Sequence, residues 1–127
     1  MLNNKSLQTF LAIGPVVLLV LLIAGYLVFF VSVFSQIEAL DKGAGQQFPS
    51  ALIGGFVFFF VMILLTSLLS LFSLIYFIVH AAKNPNLKDG NALVVWIIVL
   101  VLINCLGPLI YWLAEIRMKN PKPVISD

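Results

Sequence analysis

Four polar side chains stand among apolar neighbours in the second half of the chain: His80, Asn104, Tyr111 and Glu115. Together they suggest a proton or ion path, because ionisable groups inside a membrane mark relays and pathways. A relay needs its members on one continuous line. His80 closes one apolar run and Glu115 closes the next, so in two antiparallel rods they lie at opposite ends, with no ionisable group between them. The spacing therefore favours packing over transport, with His80 a polar residue at a span end, exposed to headgroups or paired with a neighbour. Catalysis is disfavoured by the same inventory. The chain has one histidine and five carboxylates, all at the edges of apolar runs or in connections. Hydrolysis or group transfer needs a nucleophile, a base and a group to orient them. No Gly-rich phosphate loop, Cys/His metal cluster or close carboxylate pair occurs either. The expectation is no catalytic residue, no cofactor and no metal. Cys105, the single cysteine, reads as a small buried hydrophobe.

The elements that carry these residues follow from composition. Of 127 residues, 62% are apolar and 9% charged, whereas a soluble domain is about half apolar and about a quarter charged. The solvent that suits so much apolar side chain is a lipid bilayer. A net charge of +2, with its basic residues scattered, argues against nucleic acid as a partner. A bilayer core about 30 Å thick takes roughly 20 residues of helix. Three uncharged segments meet that length, at about 10–34, 52–79 and 92–114. Each must be helical, because backbone amides left unpaired in lipid are costly. The fold class expected is all-α: one domain over 1–127, three spans, with spans two and three as an antiparallel hairpin and 115–127 a short polar tail. The first apolar run, about 25 residues long, exceeds a signal-peptide core and lacks a cleavage motif, so it is expected to stay. Ser50 suits the N-cap of the second helix. Asn84-Pro85 stops that helix, and Asp89-Gly90-Asn91 starts the third.

Small and polar residues within a span mark faces that meet other helices rather than lipid. In the second span Thr66, Ser70, Ser73 and His80 share a face, and in the third Asn104, Gly107, Pro108, Tyr111 and Glu115 do so. These two seams are expected to meet. Pro108 cannot donate to the Asn104 carbonyl, which predicts a kink there, as Gly14-Pro15 predicts a bend early in the first span. Trp96 and Trp112 lie about 24 Å apart along a straight helix, which suits aromatic anchors at the two membrane interfaces; packing inside the bundle is the other reading. Three spans divide the basic residues as Lys5, Lys83 and Lys88 against Lys42, Arg117, Lys119 and Lys122. So even a division sets no orientation, although the cluster after Glu115 leans toward a cytoplasmic tail.

The run WIIVLVLINCLGPLIYW, with Trp96, Gly107 and Tyr111 in register, resembles the second helix of the phospholipase D–nuclease N-terminal domain family. LFSLIYFIVHAAKNPNLKDGN before it is similar to that family's first helix and connection, so the resemblance covers about residues 65–118. Asn104 stands where the family usually has proline, and Glu115-Ile-Arg117 replaces its closing Gly-Arg. The resemblance implies a membrane hairpin that in some members anchors a phospholipase D-type catalytic domain. The His-x-Lys-x4-Asp motif of such domains is not met, since Ala82 follows where Lys is needed and Leu87 where Asp is needed. Stand-alone members imply an accessory role beside transporters or membrane-tethered regulators.

The function expected is therefore a non-catalytic accessory or regulatory subunit of a larger complex in a bacterial inner (plasma) membrane. Its partners are the lipid bilayer and another membrane protein or a second copy of itself. The alternative is a holin-like self-assembling pore, which suits the chain's length, its short spans and its charged tail. A lipid-contacting role for Lys83 and Lys88 at anionic headgroups is weaker.

Overall fold

The computed structural model describes residues 2–43 and 50–117, and every regular element in them is helical. The chain runs through α1 (Lys5–Asp41), α2 (Ser50–Lys83), a 3-10 turn (Pro85–Leu87), α3 (Ala92–Leu102) and α4 (Gly107–Tyr111). A π-helical segment over Trp112–Arg117 follows α4. Most of the polar tail expected over 115–127 falls outside the described residues, as does part of the first connection. α1 and α2, of 37 and 34 residues, are long and apolar enough to cross a membrane. α1 starts where Asn4 can cap it, its Oδ1 accepting from the backbone N–H of Ser6 (3.1 Å) and Leu7 (3.3 Å). Beyond α2, the Asn84 side chain caps the 3-10 turn by accepting from Asn86 N–H (3.0 Å), with Pro85 in the first turn where its missing N–H costs nothing.

The described chain divides into two compact units. One lies within residues 18–66 and holds the later part of α1 and the earlier part of α2. Its contacts are aromatic: the Phe29 ring lies edge-on to Phe56 (5.3 Å between centroids) and against Phe59 (5.2 Å). Gly55 leaves room for this packing, because a Cβ there would drive into the Phe29 ring and force it to shift. Thr66 bonds within its own helix, to the Met62 carbonyl (2.7 Å).

The other unit holds the start of α1, the end of α2 and everything after it. Phe77, Ala81, Leu100 and Tyr111 are fully enclosed here. Pro15 sits inside α1 without ending it. It has no N–H to give to the carbonyl four residues back, that of Leu11. Ser73 of α2 supplies the missing donor, its buried hydroxyl bonding the Leu11 carbonyl at 2.6 Å. A defect in one helix is thus repaired by a side chain of the next, which also fixes how α1 and α2 register.

The third apolar segment departs from expectation. A continuous helix over about 92–114 is not formed: α3 stops at Leu102, residues 103–106 make a turn, and α4 begins at Gly107. The chain then returns along α3. Trp96 Nε1 donates to Glu115 Oε1 (3.1 Å), and Trp96 and Tyr111 stack edge-on at 5.2 Å, across separations of 19 and 15 residues. Pro108 explains part of the reversal. It does not kink a long helix; it occupies the first turn of α4, where proline is well tolerated. Gly107 explains the rest, since a Cβ there would come within 2.9 Å of Leu100 Cα and 3.0 Å of the Val99 carbonyl oxygen. Only glycine lets the returning chain lie this close. Two bonds set its direction against α2: Ser70 pairs with Asn104, and His80 with Tyr111. α4 therefore runs parallel to α2 and α3 antiparallel to it, so the segment is a pair of short helices packed on α2 rather than one long partner for it.

The Pro15–Ser73 pairing is testable by a double-mutant cycle in detergent or lipid. Ser73→Ala should lower unfolding stability by about 1–3 kcal/mol, the cost of a buried unpaired carbonyl. In a Pro15→Ala background the helix supplies its own N–H, and the Ser73→Ala penalty should shrink by about 1 kcal/mol or more. Equal penalties in both backgrounds would show that the two residues act independently.

Candidate functional site: a buried polar cluster

The polar residues of this unit converge where the ends of α1, α2 and the returning segment meet. Gln8, on the second turn of α1, is buried, as are Ser73, His80, Asn84 and Glu115. Polar groups shut away from water need partners, and the bonds can be followed in order. The Gln8 amide donates one N–H to the Leu2 carbonyl (2.6 Å), which also accepts from the Tyr76 hydroxyl (3.0 Å). Its second N–H points at His80 Nε2, 3.4 Å away. That nitrogen is thereby an acceptor, so the ring proton of a neutral His80 sits on Nδ1. From Nδ1 it is donated to the Tyr111 hydroxyl oxygen (3.0 Å), which accepts a further bond from Asn84 Nδ2 (3.2 Å).

Aromatic rings close the cluster. Tyr111 is met edge-on by His80 (5.7 Å), Trp96 (5.2 Å) and Phe77 (5.8 Å). Such contacts add to the stability given by their buried area. Glu115 reaches Trp96 from the π-helical turn, and Arg117 stands over the Trp112 ring at 5.5 Å. His80 and Glu115, expected at opposite ends of two rods, both lie on the shell of Tyr111. The reason is the turn at 103–106, which carries Glu115 back to the level of Trp96. By the same turn Trp96 and Trp112 are not the two ends of one rod: Trp96 packs on Tyr111, the residue beside Trp112.

The seam residues serve separate neighbours. Ser73 faces α1, Ser70 faces the turn through a 3.4 Å bond to Asn104 Oδ1, and Thr66 bonds its own helix. Gly107 and Pro108 are buried where the returning chain starts, and Tyr111 is the hub. Sequence reasoning missed Gln8 and Asn84. Gln8 belongs to a short polar stretch where a charge drew attention, and Asn84 was read as a helix stop only. The signal available was the Tyr76, His80, Asn84 repeat at four-residue steps, which puts three hydrogen-bonding side chains on one stripe of α2 and its extension.

Most of the cluster's hydrogen bonds run between its own members and to the Leu2 carbonyl just before α1, an arrangement that locks helices. The turn at 103–106 is different. Among the described residues, the backbone N–H groups of Asn104, Cys105 and Leu106 donate to no carbonyl, and neither does the Asn104 side-chain amide. Leu102 is 77% exposed and Ile103 42%. The turn lies opposite Ser70, about 15 Å along α2 from His80 at 1.5 Å per residue.

Tyr111→Phe removes the acceptor for both His80 and Asn84 and should cost about 1–3 kcal/mol of unfolding stability. Because the chain has a single histidine, nitrogen NMR reads the ring without ambiguity. At neutral pH it should show a proton on Nδ1 and a bare Nε2. A proton on Nε2 would mean that the Gln8–His80–Tyr111 order is wrong.

Comparison with family models, curated proteins and solved structures finds no match for this chain.

Proposed function

We propose that the protein is a non-catalytic integral membrane protein, an accessory or regulatory subunit of a larger complex in a bacterial inner (plasma) membrane. On this reading α1 and α2 cross the bilayer, while the α3–α4 segment dips in and leaves by the face it entered. At 11 residues α3 is about half the length a crossing takes. The observation that carries the reading is the turn at 103–106. Placed opposite Ser70, its unpaired amides lie about 15 Å deep, where each would cost several kcal/mol in hydrocarbon. Irregular backbone is tolerated at that depth only when protein covers it or it lines water. A docked partner, another membrane protein or a second copy of the chain, supplies the cover, and the inward-directed polar cluster supports a part built to hold its shape. The resemblance to the phospholipase D–nuclease N-terminal domain family supports the same role, as an anchor without its enzyme. The turn also favours one second reading: if it lines water, copies of the chain assemble into a holin-like pore.

This topology puts Lys5, Lys83, Lys88 and Arg117 at one face, with Lys119 and Lys122 following Arg117 in the sequence, and only Lys42 at the other. The even division of basic residues expected from three spans becomes six against one. Basic residues collect on the cytoplasmic side, so both chain ends are assigned there. Fluorescent-protein and alkaline-phosphatase fusions read this directly. A carboxyl-terminal fluorescent protein should glow and a carboxyl-terminal phosphatase should be inactive, with the reverse for insertions after Gly43. An active carboxyl-terminal phosphatase would restore three spans.

The accessory role is tested by capture of the tagged chain from native membranes in a lipid-preserving detergent. One co-purifying membrane protein at fixed stoichiometry is expected. Recovery of the chain alone, as a ladder of high homo-oligomers that permeabilise cells on overexpression, would replace this reading with the pore.

A further inference from the structure

The unpaired groups of the turn have a particular composition. They include donors, the backbone N–H groups of Asn104, Cys105 and Leu106 and the two N–H of the Asn104 amide. They also include acceptors. α3 ends at Leu102, so the carbonyls of Val101 and Leu102 would normally take bonds from the N–H groups of Cys105 and Leu106, and those donate to none among the described residues. Asn104 Oδ1 holds only a long 3.4 Å bond from Ser70, which leaves it capacity for another donor. Both signs of hydrogen-bonding group therefore lie within six residues of one exposed turn.

We infer that this turn is a two-fold contact between two copies of the chain, centred on Asn104. A surface that pairs with itself must carry each donor beside its own kind of acceptor, since across a two-fold axis residue i meets j and j meets i. A carboxamide meets this condition with a single side chain, its N–H₂ on one copy facing Oδ1 on the other. A helix of a different protein would need a matching polar set of its own, whereas a second copy brings one by construction. In lipid, apolar helix faces gain little from meeting each other, and interhelical hydrogen bonds and close packing decide association. The rest of the turn suits such an approach: Leu102, Ile103 and Leu106 are exposed apolar side chains flanking the amide. The inference deepens the accessory reading, in that the subunit enters its complex as a pair.

The chain carries its own probe, because Cys105, a free thiol next to Asn104, is the only cysteine. The full-length protein, purified and reconstituted alone in phospholipid vesicles at low density, is oxidised with a membrane-permeant copper–phenanthroline reagent. Copies per particle are counted in parallel by photobleaching of a carboxyl-terminal fluorophore. Two-step bleaching and a Cys105-linked dimer, lost in Cys105→Ser, are expected. Asn104→Leu should lower the dimer fraction about tenfold, with the His80 nitrogen spectrum unchanged as evidence that the fold is kept. Single-step bleaching would overturn the inference. So would two-step bleaching that Asn104→Leu leaves unaltered while the His80 spectrum stays native. This experiment uses the isolated chain and capture from native membranes uses its surroundings, so either can fail while the other succeeds.

Discussion

A backbone carbonyl that loses its helical partner in an apolar medium must find another donor, and the packing of this protein depends on how that is done. Pro15 strips the Leu11 carbonyl of its donor, and the Ser73 hydroxyl restores one. Without that bond α1 would have reason to unwind around its proline. With it, α1 and α2 are held in one register, and the residues above Ser73 on α2 face the start of α1. The Gln8 contact with His80 and the Tyr76 bond to the Leu2 carbonyl both rely on that register.

The same constraint shapes the last third of the chain, with a different outcome. Where α3 ends, the turn needs donors and acceptors that α2 supplies only at Ser70. Gly107 and Pro108 make the reversal sterically possible, one by lacking a Cβ and the other by starting a helix without an N–H. Neither pays for the exposed amides. The geometry thus separates two kinds of polar residue: those at Tyr111, which bind the protein to itself, and those at Asn104, which are left facing outward.

Much of the fold is legible in the sequence. Composition and run length mark two long apolar helices and an all-helical chain, α2 stops just before Asn84-Pro85, and α3 starts just after Asp89-Gly90-Asn91. Of the residues singled out as polar seams, Ser70, Ser73, Asn104 and Tyr111 bond to other elements of the structure, whereas Thr66 bonds its own helix. Which element each bonds is not legible, because a face assigned by helical periodicity assumes a straight rod. The 92–114 run satisfies the length and apolarity of a span, and hydropathy cannot separate a span from two half-length helices. The deciding information is local and steric: Gly107 has a close backbone neighbour only once the chain has turned. Gln8 is not legible as a site residue because only one of its partners, the Leu2 carbonyl, is local; the other, His80, comes from α2, 72 residues away.

The order in which the chain is made gives the α3–α4 segment a further meaning. A helix of 11 residues is a poor candidate for independent integration into a bilayer, whereas α1 and α2 are each long and apolar enough to cross one. Residues 92–117 follow α2 in the chain, so Ser70, Phe77 and His80 of α2, and Asn84 just beyond it, are made before the segment that bonds or packs on them. The segment therefore has a template waiting for it, and its burial is a docking step rather than an insertion step. On the proposed two-span reading, biogenesis separates into a hydrophobic stage that threads two helices and a later polar stage that recruits the third.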